Sequence, residues 1–161
     1  VDWLIQSTST TVSSGLILDC QTAIENVQSE GLSNQAKSPV NVGVEMFFSL
    51  TYKRSLQDSD KERIKAEIRS NVAALVNNLA IGEDLIRDQV VKVVLNSSND
   101  IESMGETGSN ENFSGIYLYK RSPISNSVLR RTLIGDYRSK EDQRIILEPS
   151  VEAPIVIRDN N

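Results

Sequence analysis

Residues 40–52 alternate between apolar and smaller or polar side chains for thirteen positions, and no other feature restricts the fold of this chain more. The even positions are Val40, Val42, Val44, Met46, Phe48, Leu50 and Tyr52, and the odd positions are Asn41, Gly43, Glu45, Phe47, Ser49 and Thr51. Successive side chains of an extended strand point to opposite faces, so this run predicts a half-buried strand. Pro39 stands just before it, where a missing N–H disturbs a ladder least. Gly43, inside the run, predicts a bulge or a close backbone approach.

Two helices are predicted next. Ser59-Asp60-Lys61-Glu62 fits a capping box, with Ser59 as N-cap and Glu62 reaching back to it. Ile64, Ile68, Val72, Leu75, Val76 and Leu79 recur at the spacing of one helical face, while Lys61, Glu62, Lys65, Glu67, Arg69 and Asn77 are assigned to the opposite one. Gly82 is the expected stop. A second helix is expected from Glu83 or Asp84, whose charges suit a helix N-terminus, with Ile86, Val90, Val93 and Val94 as its stripe and Leu85 close by.

The flanking segments are less patterned. Residues 7–14 read as a connector or edge strand, and Leu16-Ile17-Leu18 as a short strand ending at Asp19. Asp19 then caps a helix through Thr22, Ile24 and Val27 that stops at Gly31, before a polar loop over 32–39. Residues 96–115 form a long polar loop with Gly105, Gly108 and Gly115, interrupted by a short pairing near Ile101. Further strands are expected at 116–119, 128–134, 144–147 and 155–157, with Pro149 and Pro154 bracketing a turn.

These elements predict an α+β fold, with a strand-helix-helix-strand core, additional C-terminal strands, and helices on one face of a small sheet. Residues 1–15 are expected to be a connector or edge segment. Residues 16–161 are expected to be a single α+β domain, divisible into a core over 16–120 and a C-terminal strand elaboration over 121–161. The 161-residue length suits one domain, and no internal repeat is visible. Aromatics make up only 5 %, so aliphatic side chains must supply the core. Val1 and Asp2, with no basic region leading into an apolar stretch, lack the pattern of a signal peptide, and the chain reads as a piece of something longer.

Seventeen basic against twenty-two acidic residues leave a net charge of −5, which argues against a general nucleic-acid binder. The basic pairs Lys53-Arg54, Lys120-Arg121 and Arg130-Arg131 read as solvated surface, although Arg130-Arg131 could hold an anion or an acidic partner surface. No apolar run approaches the ~20 residues of a membrane span. The Asn96 and Asn112 triplets imply no glycan without a secretory route.

Candidate chemistry is sparse, because the chain has no histidine and one cysteine. Cys20 cannot form an internal disulfide and reads as a small buried or half-buried thiol. Asp58-Ser59-Asp60 lacks the glycine and terminal glutamate of a calcium loop, and a helix N-terminus explains it. Glu83, Asp84 and Asp88 read the same way. The glycine spacing at 105, 108 and 115 fits no phosphate loop. Tyr117 and Tyr119 suit either an interface stripe or sheet-face packing. No catalytic, cofactor-binding or metal-ligating residue is assigned, and an enzyme is not expected.

The order of phrases over residues 31–95 supplies a resemblance. A helix carrying Thr22-Ala23-Ile24-Glu25-Asn26-Val27 precedes Gly31, and Pro39-Val40 opens the strand Val40-Asn41-Val42-Gly43-Val44-Glu45. The next helix ends in Leu79-Ala80-Ile81-Gly82-Glu83-Asp84-Leu85, and a second runs through Val90. This resembles the C-terminal part of the baseplate J-like family of phage contractile-tail wedge proteins. The chain departs from the family pattern after the second helix, where Asn96-Ser97-Ser98-Asn99-Asp100-Ile101 replaces the usual Gly-Val junction and a long loop follows. Residues 116–161 do not align with it.

The resemblance implies a structural component of a tail baseplate wedge or related contractile injection apparatus, assembled in the host cytoplasm and located in the virion. Its implied partners are other baseplate or tail proteins, with self-association as a further option. It implies no nucleic acid, small-molecule substrate, metal or cofactor. The competing expectation is a stand-alone α+β module, ferredoxin-like in layout, that binds or senses a small ligand.

Overall fold

The computed structural model describes residues 2–6, 12–27, 34–105, 114–121 and 128–160. The elements in chain order are β1 (Asp2–Leu4), α1 (Ser14–Val27), β2 (Gln35–Lys37), β3 (Val40–Tyr52), α2 (Asp58–Asn78), α3 (Arg87–Asn96), β4 (Ile101–Met104), β5 (Gly115–Arg121), β6 (Val128–Ile134), β7 (Gln143–Leu147) and β8 (Ile155–Asp159). This is the expected α+β arrangement, and β3 occupies the alternating run.

The larger sheet is built around β3. Along one edge it pairs antiparallel with β4 and β5, and along the other it pairs parallel with β7 and β8. β6 extends the sheet beyond β5. Each edge of β3 therefore receives one interrupted strand. Between the pairs Leu50–Met104 and Phe47–Gly115, three residues of β3 correspond to eleven of its partner, a surplus of eight. Between Val44–Leu147 and Met46–Ile155, two residues correspond to eight, a surplus of six. The parallel pairing of β7 and β8 was not legible in their sequence, because a short apolar run carries no sign of its direction.

One face of the sheet holds the core. Val44, Met46, Phe48 and Leu50 of β3 join Ile116, Ile145, Ile155 and Ile157 from neighbouring strands. Ile64, Ile68, Val72 and Val76 of α2 and Val90 and Val94 of α3 pack onto them. Each such side chain contributes roughly 1.5–3 kcal/mol by leaving water. Leu79 and Leu85 are buried beside them, and Leu75 and Val93 are half-buried at the margin. The 3.6-residue stripes of both helices are thus used as expected.

The helix boundaries depart from expectation. α2 starts after Gln57, whose carbonyl accepts Asp60 and Lys61 N–H at 3.0 and 3.1 Å, and no side chain caps it. The Ser59 capping box does not form, because Leu56 packs on the core and the chain turns into the helix earlier. Glu62 bonds Lys65 Nζ at 3.1 Å instead. α2 ends at Asn78, before Gly82, and α3 begins at Arg87 rather than Glu83 or Asp84. The acids are spent elsewhere. Glu83 Oε2 accepts Ala80 N–H at 2.7 Å, and Asp84 Oδ1 accepts Ser139 N–H at 2.8 Å. Asp136 Oδ1, from the far end of the chain, accepts Arg87 N–H at 2.9 Å and satisfies the start of α3.

The N-terminal segment is corrected more strongly. Leu16-Ile17-Leu18 is helical, since α1 begins at Ser14 and Ser13 caps it, its Oγ accepting Leu16 N–H at 3.2 Å. α1 therefore crosses the boundary expected between 15 and 16. Within the expected polar loop over 32–39, β2 pairs parallel with β1, and Lys37 Nζ reaches Asp2 Oδ2 at 2.9 Å. Gln21 ties α1 to this ribbon, its Oε1 accepting Ala36 N–H at 2.7 Å. The expected stop at Gly31, most of the connector at 7–14 and residues 106–113 of the loop over 96–115 lie outside the described residues, but the pairing near Ile101 is present as β4.

Gly82 sits in the α2–α3 turn at φ 79°, with Glu141 Cα 3.3 Å from where a Cβ would stand. Left-handed backbone costs a side-chain-bearing residue about 1–2 kcal/mol. Gly82→Ala is expected to lower unfolding stability by about that much, read as a lower urea midpoint with an unchanged m-value.

Candidate functional site

The second face of the sheet, formed by the odd residues of β3, is also largely closed. This corrects the half-buried expectation for the strand. Glu45, Ser49, Arg144 and Glu148 are buried, together with Gly43 and Ile146. Register places Gly43 beside Tyr119 and Ile146, and Glu45 beside Tyr117. Tyr119 Oη donates to Glu45 Oε2 at 2.7 Å, and Tyr117 meets Phe47 edge-on with ring centroids 5.5 Å apart. Both tyrosines therefore serve sheet-face packing. A buried carboxylate is tolerated only when hydrogen bonds replace its water.

Glu148 explains Gly43. Its N–H donates to Val44 O at 2.9 Å, closing the β7 ladder, and its side chain then doubles back over the sheet. Any Cβ on residue 43 would overlap the Glu148 carboxylate, so the glycine marks a close approach and not a bulge. Glu148 Oε1 accepts the N–H of Ser150 at 3.1 Å and also its hydroxyl. Pro149 thus lies inside a turn that the carboxylate itself organises. Ser114 Oγ closes the other edge, accepting Ser49 N–H at 2.9 Å.

A second polar cluster fastens α2 to the far end of the sheet. Asp159 of β8 accepts Tyr52 Oη at 3.1 Å and Lys65 Nζ at 3.2 Å, with Lys61 Nζ 3.8 Å away. Lys61 also lies over the Tyr52 ring, 5.9 Å from its centre. Lys61 and Lys65, assigned by pattern to the exposed face, turn inward because a carboxylate waits at the strand end. Burial raises the Tyr52 pKa, and the Asp159 charge and hydrogen bond raise it further. For Lys65, burial is the largest influence and acts downward, but the hydrogen bonds to Glu62 and Asp159 outweigh it and the pKa is raised.

Sequence reasoning singled out none of Glu45, Arg144, Glu148 or Asp159. The only available signal was Gly43, which promised a close approach but not its partner. Of the acids weighed earlier, Asp58 and Asp60 lie in the first turn of α2 and Asp88 in that of α3, where they complement helix dipoles. Cys20 is half-buried on α1. The side chains of Lys120-Arg121 and Arg130-Arg131 lie outside the description, while Lys53 and Arg54 are exposed and Arg54 pairs with Asp100 at 3.0 Å. Among the described residues, no group of three or more His, Cys, Asp or Glu is placed to hold a metal ion, and no helix is long and apolar enough to cross a membrane.

These geometries generate two expectations. Tyr119→Phe removes the hydroxyl donor from a buried carboxylate and should lower stability by about 1–3 kcal/mol in chemical denaturation. The raised Tyr52 and Lys65 pKa values mean that the unfolded chain releases those protons first as pH rises. Their contribution is therefore full below the ordinary values of 10.0 and 10.5 and is lost as pH climbs through the higher folded values. Tyr52→Phe should be less stable at neutral pH and should lose less stability between neutral and strongly alkaline pH than the parent chain, measured by urea denaturation across a pH series.

Compared with protein-family models and with curated proteins, the chain matches none.

Proposed function

We propose that this chain is a structural component of a phage tail baseplate wedge or a related contractile injection apparatus, acting through protein–protein contacts. The observation that carries the reading is the position of the phrase on which the resemblance most depends. Leu79-Ala80-Ile81-Gly82-Glu83-Asp84-Leu85 forms a tertiary joint: Gly82 N–H donates to Gln143 O at 2.8 Å, and Leu85 exchanges two 2.9 Å backbone hydrogen bonds with Tyr137. The phrase thereby locks two helices and the C-terminal strands into one body, as a part that must transmit force requires. Large apolar side chains left exposed on α1 support a role in contacts.

In this reading the chain has no catalytic role and needs no cofactor. Its partners are other baseplate or tail proteins, and its place is the tail of the virion after assembly in the host cytoplasm. The test is an affinity pull-down of the tagged chain from its source lysate, read by mass spectrometry. Sheath, tube or baseplate proteins should be recovered. Recovery of none of these, together with a melting-point rise in a small-molecule screen, would replace the reading with a ligand-binding module.

A further inference from the structure

The run that forms β7 does not fix its own register. Register is set by a difference between the two faces of a strand, and Ile145, Ile146 and Leu147 are apolar in succession. The turn that follows adds no constraint, since it carries six surplus residues before β8 resumes the pairing. At the start of β7, Gln143 O accepts Gly82 N–H at 2.8 Å, a bond that any backbone carbonyl of the strand can supply. A slip of one residue is opposed by Arg144, which is buried on the second face and would be carried into the aliphatic core. A slip of two residues meets no such opposition, because Arg144 and Ile146 keep their face and Ile145 stays in the core.

Glu148 and Gly43 supply what the pattern lacks. The Glu148 side chain is fully buried and lies against Gly43, where any Cβ would overlap its carboxylate. Its Oε1 accepts the N–H of Ser150 at 3.1 Å and also the Ser150 hydroxyl, which fixes where the carboxylate stands. Gly43 is the only glycine of β3, and its neighbours on that face, Asn41 and Glu45, both carry a Cβ. A slip of two residues in either direction would bring the Glu148 carboxylate over one of them.

We propose that Glu148 on Gly43 is a register lock. It holds β7 at the one alignment on β3, Gly43 beside Ile146, in which the buried carboxylate meets a residue without a Cβ. The lock reaches beyond its own strand. The turn organised by Glu148 and Ser150 leads to Pro154, whose carbonyl accepts Met46 N–H at 2.8 Å where β8 begins. One carboxylate thereby sets the alignment of both parallel strands. This conformational role goes beyond the assembly reading and does not rest on it.

A double-mutant cycle on the whole chain, read by urea denaturation, tests the lock. Gly43→Ala alone should lower the folding equilibrium constant about ten- to hundredfold, because the added methyl meets the carboxylate. In the Glu148→Ala background the same substitution should change sign and raise the constant about two- to fivefold, since glycine is otherwise the poorer strand residue. Glu148→Ala should also show, in nuclear Overhauser spectra, a second set of β3–β7 contacts displaced by two residues, with Gly43 beside Arg144 or position 148. The parent chain should show only Gly43 beside Ile146. Ser150→Ala loosens the carboxylate without removing it, and in this milder background Gly43→Ala should cost less than in the parent. A Gly43→Ala penalty of the same size in all three backgrounds, or a single register in Glu148→Ala, would overturn the proposal.

Discussion

Backbone pairing to β3 is the constraint on which the rest of this molecule depends. Every other strand of the larger sheet except β6 hydrogen-bonds to it directly, and β6 does so through β5. Thirteen residues give β3 room for two strands on each edge, and each edge is completed by segments separated by surplus residues. The chain closes around a strand that forms early in sequence but is completed by residues more than a hundred positions later. Such pairing is non-local, so loop-closure entropy must be overcome before the ladder rewards it.

The two faces of β3 solve different problems. Its even residues meet α2 and α3 in an aliphatic core whose stability follows from buried area. Its odd residues meet Glu148, Tyr119, Tyr117 and the returning strands, where burial is offset by hydrogen bonds. Buried ionic groups add little net stability compared with well-packed apolar ones, but a misplaced strand would leave them without partners. Glu148 over Gly43 therefore selects the β3–β7 register as much as it strengthens it. Asp159 plays the corresponding part at the other end, where it brings Tyr52, Lys61 and Lys65 to one carboxylate.

Much of the fold was legible because its strongest signals are periodic. Alternation over residues 40–52 and the three-and-four spacing of Ile64, Ile68, Val72 and Val76 depend only on geometry internal to one element. Errors arose where two elements compete for one residue. Ser59 and Glu62 have the right spacing for a capping box, but Leu56 and Lys65 draw the chain elsewhere. Glu83 and Asp84 suit a helix start, but Ala80 and Ser139 claim them first. Leu16-Ile17-Leu18 looks like a strand until Ser13 supplies the first turn of a helix. The polar layer was invisible for the same reason, since Glu45 and Glu148 are 103 positions apart in the numbering.

The sequence by itself determined that residues 40–52 would be a strand and that two helices would follow it, which faces of those helices would be apolar, that one strand would dominate, and that the core would be aliphatic. These properties follow from side-chain size, branching and period within a single window. Only the tertiary structure decided the direction of β7 and β8, the closing of the second sheet face, the inward turn of Lys61 and Lys65, and the cap that Asp136 lends to α3. Each of these is a bond between residues distant in sequence, and a bond has no local signature until both partners are in place.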